Sequence, residues 1–197
     1  MEYAAIFLDR DGTINEEVDF LISPQEIKLI PGSAQAIRGA KELGYKVFIT
    51  TNQSGIARGL FTELQLKKIN NHLISVLKNH HAEIDAIYYC PHHPDFGDSP
   101  YRQNCECRKP KTGMITQAAK EFNIDIKKSF IIGDRAVDIQ TGNNSGMFTI
   151  LVLTGYGKHE LELCQQYNAH IDHIAPNLYE ALQYIKQFSK YGQEKSS

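Results

Sequence analysis

The chain has no tryptophan, no long apolar run and no surplus of either charge, and each absence removes a class of function. A membrane helix needs roughly 20 consecutive apolar residues, which no segment approaches. Lys and Arg number 21 against 23 Asp and Glu, a formal charge of -2. No general field therefore draws the protein to nucleic acid or an anionic membrane, and any anion site must be local. Residues 1–3 lead straight into an apolar strand without a basic, cleavable leader, so the expected compartment is the cytoplasm. Internal repeats and low-complexity stretches are missing too. A chain of 197 residues then suits one domain, residues 1–191, with a polar, flexible tail at 192–197. Cysteine is scarce, and three of the four are clustered: Cys90, Cys105 and Cys107. In a reducing compartment such a cluster points to a metal rather than to disulfides. Cys164 stands apart in a polar helix-like stretch, where it reads as a half-buried residue without a role.

What is present is an alternation of strand and helix signals, which predicts a parallel sheet covered by helices on both faces. Strands are predicted at residues 3–8, 45–50, 84–89, 129–132 and 149–153, with a short edge strand at 171–174. Helices are predicted at 34–43, 62–78, 115–122, 137–144 and from 177 to about 188. Thr62 and Gln65 form a capping box, and Leu64, Ile69, Leu73, Ile74 and Leu77 read as the apolar stripe of that helix.

The first apolar run ends in Asp9-Arg10-Asp11-Gly12-Thr13-Ile14. A carboxylate at the tip of a buried strand is poorly solvated unless a cation meets it. A divalent metal would hold both acids ionised and leave one oxygen free to attack phosphorus. The second strand ends in Thr51-Asn52 and the fourth in Gly133-Asp134, and in a parallel sheet these ends share one rim with Asp9 and Asp11. Asp134 would complete a carboxylate set for Mg²⁺. Thr51 suits phosphate oxygens, and Lys109 in the turn Arg108-Lys109-Pro110 could neutralise charge on a transferring phosphoryl group. The plainer reading makes Asp134 a helix cap and Asp138 a solvated acid in the first turn. The conjunction of separate segments on one rim decides for phosphoryl transfer.

The segment 90–111 has neither helical nor strand periodicity, so something other than a core must order it. Cys90-Pro91-His92 and Cys105-Glu106-Cys107 form two ligand pairs across a 12-residue loop. Three thiolates and an imidazole suit tetrahedral Zn²⁺, with no position left for water, hence a structural site. Chemistry alone leaves His92 or His93 as the fourth ligand; the spacing that mirrors Cys-x-Cys favours His92.

These motifs resemble the haloacid dehalogenase superfamily of aspartate-nucleophile phosphatases. Three segments resemble more narrowly its heptose 1,7-bisphosphate phosphatases: Thr51-Asn52-Gln53-Ser54-Gly55-Ile56-Ala57-Arg58-Gly59, Cys90-Pro91-His92-His93-Pro94 and Cys105-Glu106-Cys107-Arg108-Lys109-Pro110. The resemblance covers nearly the whole chain and implies a Rossmann-like α/β fold without a large cap domain. It implies Asp9 as nucleophile, Asp11 as general acid and base, and Thr51 and Lys109 as phosphoryl holders. Mg²⁺ would sit on the Asp9 carboxylate, the Asp11 carbonyl and Asp134, and Zn²⁺ on Cys90, His92, Cys105 and Cys107, ordering loop 90–109. The resemblance places a small phosphorylated sugar against Glu17, Val18, Asp19, Phe20, Asn52, Gln53, Ser54 and Arg108. Arg135, which stands where many relatives carry lysine, joins that set. A monomer is expected. Two alternatives are a histidinol-phosphate phosphatase, against which Arg108 as a reader of a second phosphate argues, and a catalytically silent phosphosugar-binding protein, against which the complete acid set argues.

Overall fold

The computed structural model describes residues 2–194, with side chains through residue 187. Its strands are β1 (Ala5–Leu8), β2 (Lys46–Asn52), β3 (Ala86–Cys90), β4 (Phe130–Gly133), β5 (Phe148–Val152) and β6 (His173–Ala175). All pair in parallel, in the order β3-β2-β1-β4-β5-β6. The helices are α1 (Ser33–Glu42), α2 (Glu63–Asn79), α3 (Gly113–Phe122), α4 (Ala136–Ser145), α5 (Gly157–Gln166) and α6 (Leu178–Glu194). No separate cap forms among the described residues, and no helix of theirs is long and apolar enough to cross a membrane.

The sequence Ala5-Ile6-Phe7-Leu8 is buried on both faces, as a central parallel strand requires. Ile6 and Leu8 join a cluster with Ile37 and Ala40 of α1 and Leu182 and Ile185 of α6. Ala5 and Phe7 point the other way, into a cluster with Met114, Ile115 and Ala118 of α3. There Phe7 and Phe48 lie 5.2 Å apart and Phe48 and Phe122 4.9 Å apart. Burying a side chain of this size contributes about 1.5–3 kcal/mol, so the two-sided core holds the rim rigidly.

Several expectations shift. β2, β3 and β4 run on to Asn52, Cys90 and Gly133, because Asn52 finds a ladder partner in Cys90 and Gly133 one in Leu151. In α2 the buried stripe is Leu66, Ile69, Leu73 and Leu77, whereas Leu64 and Ile74 are exposed. The steps of 3, 4 and 4 residues keep the first set in phase with a 3.6-residue turn, and the other two fall outside it. Cys164 is wholly buried rather than half-buried, packed with Ala136, Ile139 and Leu151. Helix α6 extends through Glu194, past Gly192 where the sequence reading starts the tail; residues 195–197 lie outside the described residues.

β1, β2 and β4 are neighbours with β1 in the middle, and the strand order reverses across β1 and β4. Open α/β sheets bind ligands at the carboxyl ends beside such a reversal. The three polar strand ends thus meet at one place.

Candidate active site

A cleft of about 420 Å³ opens at that rim, lined among others by Asp9, Asp11, Thr51, Lys109 and Asp138. Asp9 follows β1 directly, its amide still donating to Ile132 O at 3.0 Å. Gly12 then turns the chain back with φ at 76°, and a Cβ there would fall 2.2 Å from Asp134 Oδ2. Glycine is what lets the Asp-x-Asp turn press against the end of β4.

Lys109 enters from the loop between β3 and α3 and is buried. Its Nζ donates to Asp9 Oδ1 at 2.7 Å, Asp138 Oδ1 at 2.5 Å and Thr50 O at 2.8 Å. Asn52 places it: the Asn52 amide donates to Lys109 O, and its carbonyl accepts from the Lys109 amide, both at 3.1 Å. Burial works against a charge on Lys109, but Asp138 and Asp9 outweigh it and raise the ammonium above its usual range.

Asp9, Asp134 and Asp138 bring carboxylate oxygens within 4.8 Å of one another, all three buried. Burial pushes Asp9 up to about 6, against the pull of Lys109. Burial, with Asp9 and Asp138 adding to it, pushes Asp134 up to about 8. Asp134 Oδ2 accepts from the Tyr156 amide at 2.8 Å, while Asp134 Oδ1 is buried with no partner among the described residues. Three buried carboxylates, two of them holding one ammonium, form a donor set for a hard cation, and Mg²⁺ fits it. Asp138, solvated on the plainer reading and given no role on the preferred one, is 1% exposed and pairs with Lys109 from 29 residues away. Its spacing of four from Asp134, across a helix start, was the signal that could have found it.

Asp11 stands outside this carboxylate cluster. Arg10, wholly buried, donates from Nη2 to Asp11 Oδ2 at 2.8 Å and from Nε to Oδ1 at 3.1 Å. Asn15 adds 2.9 Å to Oδ1 and Gln53 adds 3.0 Å to Oδ2. Burial would raise the acid, but Arg10 and these amides hold it below the usual carboxylate range. Arg10, with Asn15 and Gln53, thus favours the ionised form of Asp11 from the chain's own side chains. Gln53 Nε2 also donates to Thr51 Oγ1 at 2.8 Å, which leaves the Thr51 hydroxyl proton free for another acceptor. Arg10 and Asn15 were not singled out from sequence; only the fold shows that they converge on Asp11.

Around the mouth, Glu17, Asp19, Phe20, Asn52, Gln53, Ser54, Arg108 and Arg135 all line the cleft, and Val18, which is exposed, does not. Burial first, then Asp11 and Asp9, push Glu17 up to about 7. Tyr156 latches one side, its hydroxyl donating to Asp19 at 2.8 Å while Arg135 stacks 4.5 Å above its ring. Arg135 pairs with Glu160 at 3.4 Å, and Arg108 donates to His92 O at 3.1 Å.

Behind Arg108 the four predicted soft ligands gather. Cys90 Sγ lies 3.4 Å from Cys105 Sγ, Cys105 3.2 Å from Cys107, and His92 Nδ1 3.3 Å from Cys107. All four ligand atoms fall within 4.8 Å of one another. Tetrahedral zinc with Zn–S near 2.3 Å needs sulfurs about 3.8 Å apart, so the cluster fits structural Zn²⁺. His93 is not in it: its Nδ1 accepts from the Asp95 amide at 3.1 Å and its ring packs on Phe96. His92, through Nδ1, is the histidine of this set.

Residues 106–181 match a family model described as HAD-hydrolase-like. A D-glycero-D-manno-heptose-1,7-bisphosphate 7-phosphatase of Chlorobaculum tepidum is 39% identical over 189 residues, covering 92% of this chain and 94% of its own. A D-glycero-beta-D-manno-heptose-1,7-bisphosphate 7-phosphatase of Pasteurella multocida is 44% identical over 152 residues, 77% of this chain and 82% of its own. The crystal structure of D,D-heptose 1,7-bisphosphate phosphatase from B. bronchiseptica, complexed with magnesium and phosphate, superposes with a TM-score of 0.83 at 34% identity, covering 93% of this chain and 98% of that one. The chain belongs to the HAD-like hydrolases, within the family of heptose-1,7-bisphosphate 7-phosphatases.

Proposed function

We propose that the protein is a Mg²⁺-dependent phosphatase that removes the 7-phosphate of D-glycero-D-manno-heptose 1,7-bisphosphate, in the biosynthesis of nucleotide-activated heptose for lipopolysaccharide or another surface glycan. The observation that carries this reading is the Asp9 carboxylate at the tip of β1, one oxygen held by Lys109 at 2.7 Å. The other oxygen is left to attack phosphorus. Asp9 Oδ2 forms the P–O bond of an aspartyl phosphate as the bond to the sugar oxygen breaks; Asp11, ionised by Arg10 in the free enzyme, takes up a proton brought in by the substrate's monoanionic phosphate and hands it to that oxygen. Asp11, now a carboxylate, takes a proton from water; the oxygen attacks phosphorus, and Asp9 and inorganic phosphate separate. Its clamp by Arg10 stabilises the form that acts as base. Thr51, with its proton free, and Lys109 hold the phosphoryl oxygens. Asp9, Asp134 and the Asp11 carbonyl would hold Mg²⁺, which supplies charge for the phosphoryl oxygens when bound.

Arg108, delivered by the zinc loop, reads a second phosphate, for which a forked guanidinium is suited. Glu17, Asp19, Phe20, Asn52, Gln53, Ser54 and Arg135 form the sugar side of the site, without Val18, which stays outside the cleft. On this reading the working unit is the domain of residues 1–191, a cytoplasmic monomer that binds neither nucleic acid nor membrane. The test is phosphate release with Mg²⁺ from both heptose bisphosphate anomers, fructose 1,6-bisphosphate and histidinol phosphate. The heptose bisphosphates should exceed the others in kcat/KM by at least about tenfold, which is 1.4 kcal/mol of transition-state binding. Equal or faster turnover of histidinol phosphate would overturn the assignment.

A further inference from the structure

Four cationic side chains line the cleft besides His93: Lys109, Arg135, Arg108 and Arg58. Lys109 has Asp9 and Asp138, and Arg135 has Glu160. Among the described residues, no carboxylate lies within ion-pair distance of Arg58 or Arg108. Two unpaired guanidiniums in one cleft repel each other and leave positive charge for an incoming anion.

Arg58 is also held in place. Its guanidinium carbon lies 3.6 Å from the centroid of the Phe96 ring and 5.9 Å from that of Phe20. His93 packs on the same Phe96 ring at 4.6 Å. Phe96 comes from the zinc loop, Phe20 from the loop after β1, and Arg58 from the turn after β2, where its amide donates to Ser54 O at 3.0 Å. Phe20 and Phe96 are about 40% exposed, so an aromatic–guanidinium stack stands open at the mouth of the cleft. A stacked guanidinium keeps its edge donors free and loses little rotamer freedom on binding. At His93, acceptance from the Asp95 amide by Nδ1 puts the ring proton on Nε2, a further donor beside the same ring.

We propose that Arg58 is a specificity residue: stacked on Phe96, it joins Arg108 in an anion subsite at the cleft mouth that takes the phosphate left uncleaved. His93 supports this subsite through Phe96 and its Nε2 proton. The inference rests on the bisphosphatase reading above and adds to it a second residue, Arg58 at the far end of the segment that Thr51 opens, that selects a bisphosphate. It also gives the zinc loop a second task, since Phe96 orients Arg58 from that loop.

The experiment compares Arg58→Ala, Arg58→Lys and Phe96→Leu with the parent enzyme, using heptose 1,7-bisphosphate and heptose 7-phosphate. Zinc content and thermal melting are recorded for each variant. Arg58→Ala should lower kcat/KM for the bisphosphate about 10- to 100-fold, mostly through KM, as expected for a charge-assisted contact. The monophosphate should lose much less, so the selectivity ratio falls. Arg58→Lys should restore part of the ratio, and Phe96→Leu should lower it less than Arg58→Ala. Equal losses on both substrates, or an unchanged ratio in a folded, zinc-loaded Arg58→Ala enzyme, overturn the subsite. A parent enzyme that shows no preference for the bisphosphate overturns the functional reading instead, whatever the variants do.

Discussion

The rim of the sheet and the loop of residues 90–109 meet at Lys109, yet they are organised by opposite means. At the rim, β1, β2 and β4 are locked by apolar faces, and hard oxygen donors sit on their ends because the sheet places them there. The loop has no stripe to bury, and its order comes from four soft donors gathered within 4.8 Å. The rim can therefore hold charge in a preorganised, low-dielectric place, whereas the loop's ligand set would be tied together by a bound metal. The site depends on both, because the ammonium between Asp9 and Asp138 belongs to the loop.

Removing the nucleophile should have the largest effect and should leave the loop untouched. Asp9→Asn is expected to cut kcat by at least about 10⁴-fold, with zinc content and melting temperature close to the parent's. Measurable steady turnover above background would remove Asp9 from the nucleophile's place. Stripping zinc attacks the other region. A strong chelator, or Cys105→Ser, should lower kcat/KM about 10²- to 10³-fold while far-UV circular dichroism keeps the signal of the α/β core. Full activity at less than one zinc per two chains would show that the loop orders itself.

Asp138→Asn tests the seam between them. It leaves Lys109 with one carboxylate, and kcat should fall about 10- to 100-fold; a loss of melting temperature without a loss of kcat would make Asp138 a structural partner only. The smallest effect belongs to a charge cluster outside both regions. Asp85 accepts from Lys41 at 2.6 Å, Lys46 at 2.9 Å and the Val47 amide at 2.8 Å, and these hold its carboxyl below the usual range despite burial. A depressed folded pKa means stability that is present above the unfolded value near 3.9 and lost as pH falls through the folded one. Asp85→Asn should cost about 1–2 kcal/mol at pH 7 in denaturant unfolding. The two proteins should converge below the folded pKa, and a constant gap down to pH 2 would remove the charge from the account.

Much of this was legible beforehand for a physical reason that differs by element. β1 reads as central because four apolar residues in a row suit burial on two faces. The zinc ligands read because each pair is local, so spacing alone brings its members together. Leu64 and Ile74 misled because apolar residues near the stripe look alike until the helix is set against its neighbour. The roles of Arg10 and Asp138 were invisible for another reason: each depends on a distant residue, Arg10 on Asn70, 60 residues away, which helps hold its guanidinium beside Asp11, and Asp138 on Lys109, 29 away.

The sequence by itself determined the α/β alternation, the oxygen and sulfur character of the two metal sets, and the turn at Gly12, all properties of residue type and short spacing. Tertiary structure alone decided which charges are paired. It joined Lys109 to Asp9 across 100 residues and clamped Asp11 with Arg10, and among the described residues it left an oxygen of Asp134 without a partner and Arg58 and Arg108 without carboxylates. Coulomb energy depends on distance and burial, and neither is written in the order of residues until the sheet has brought its ends together.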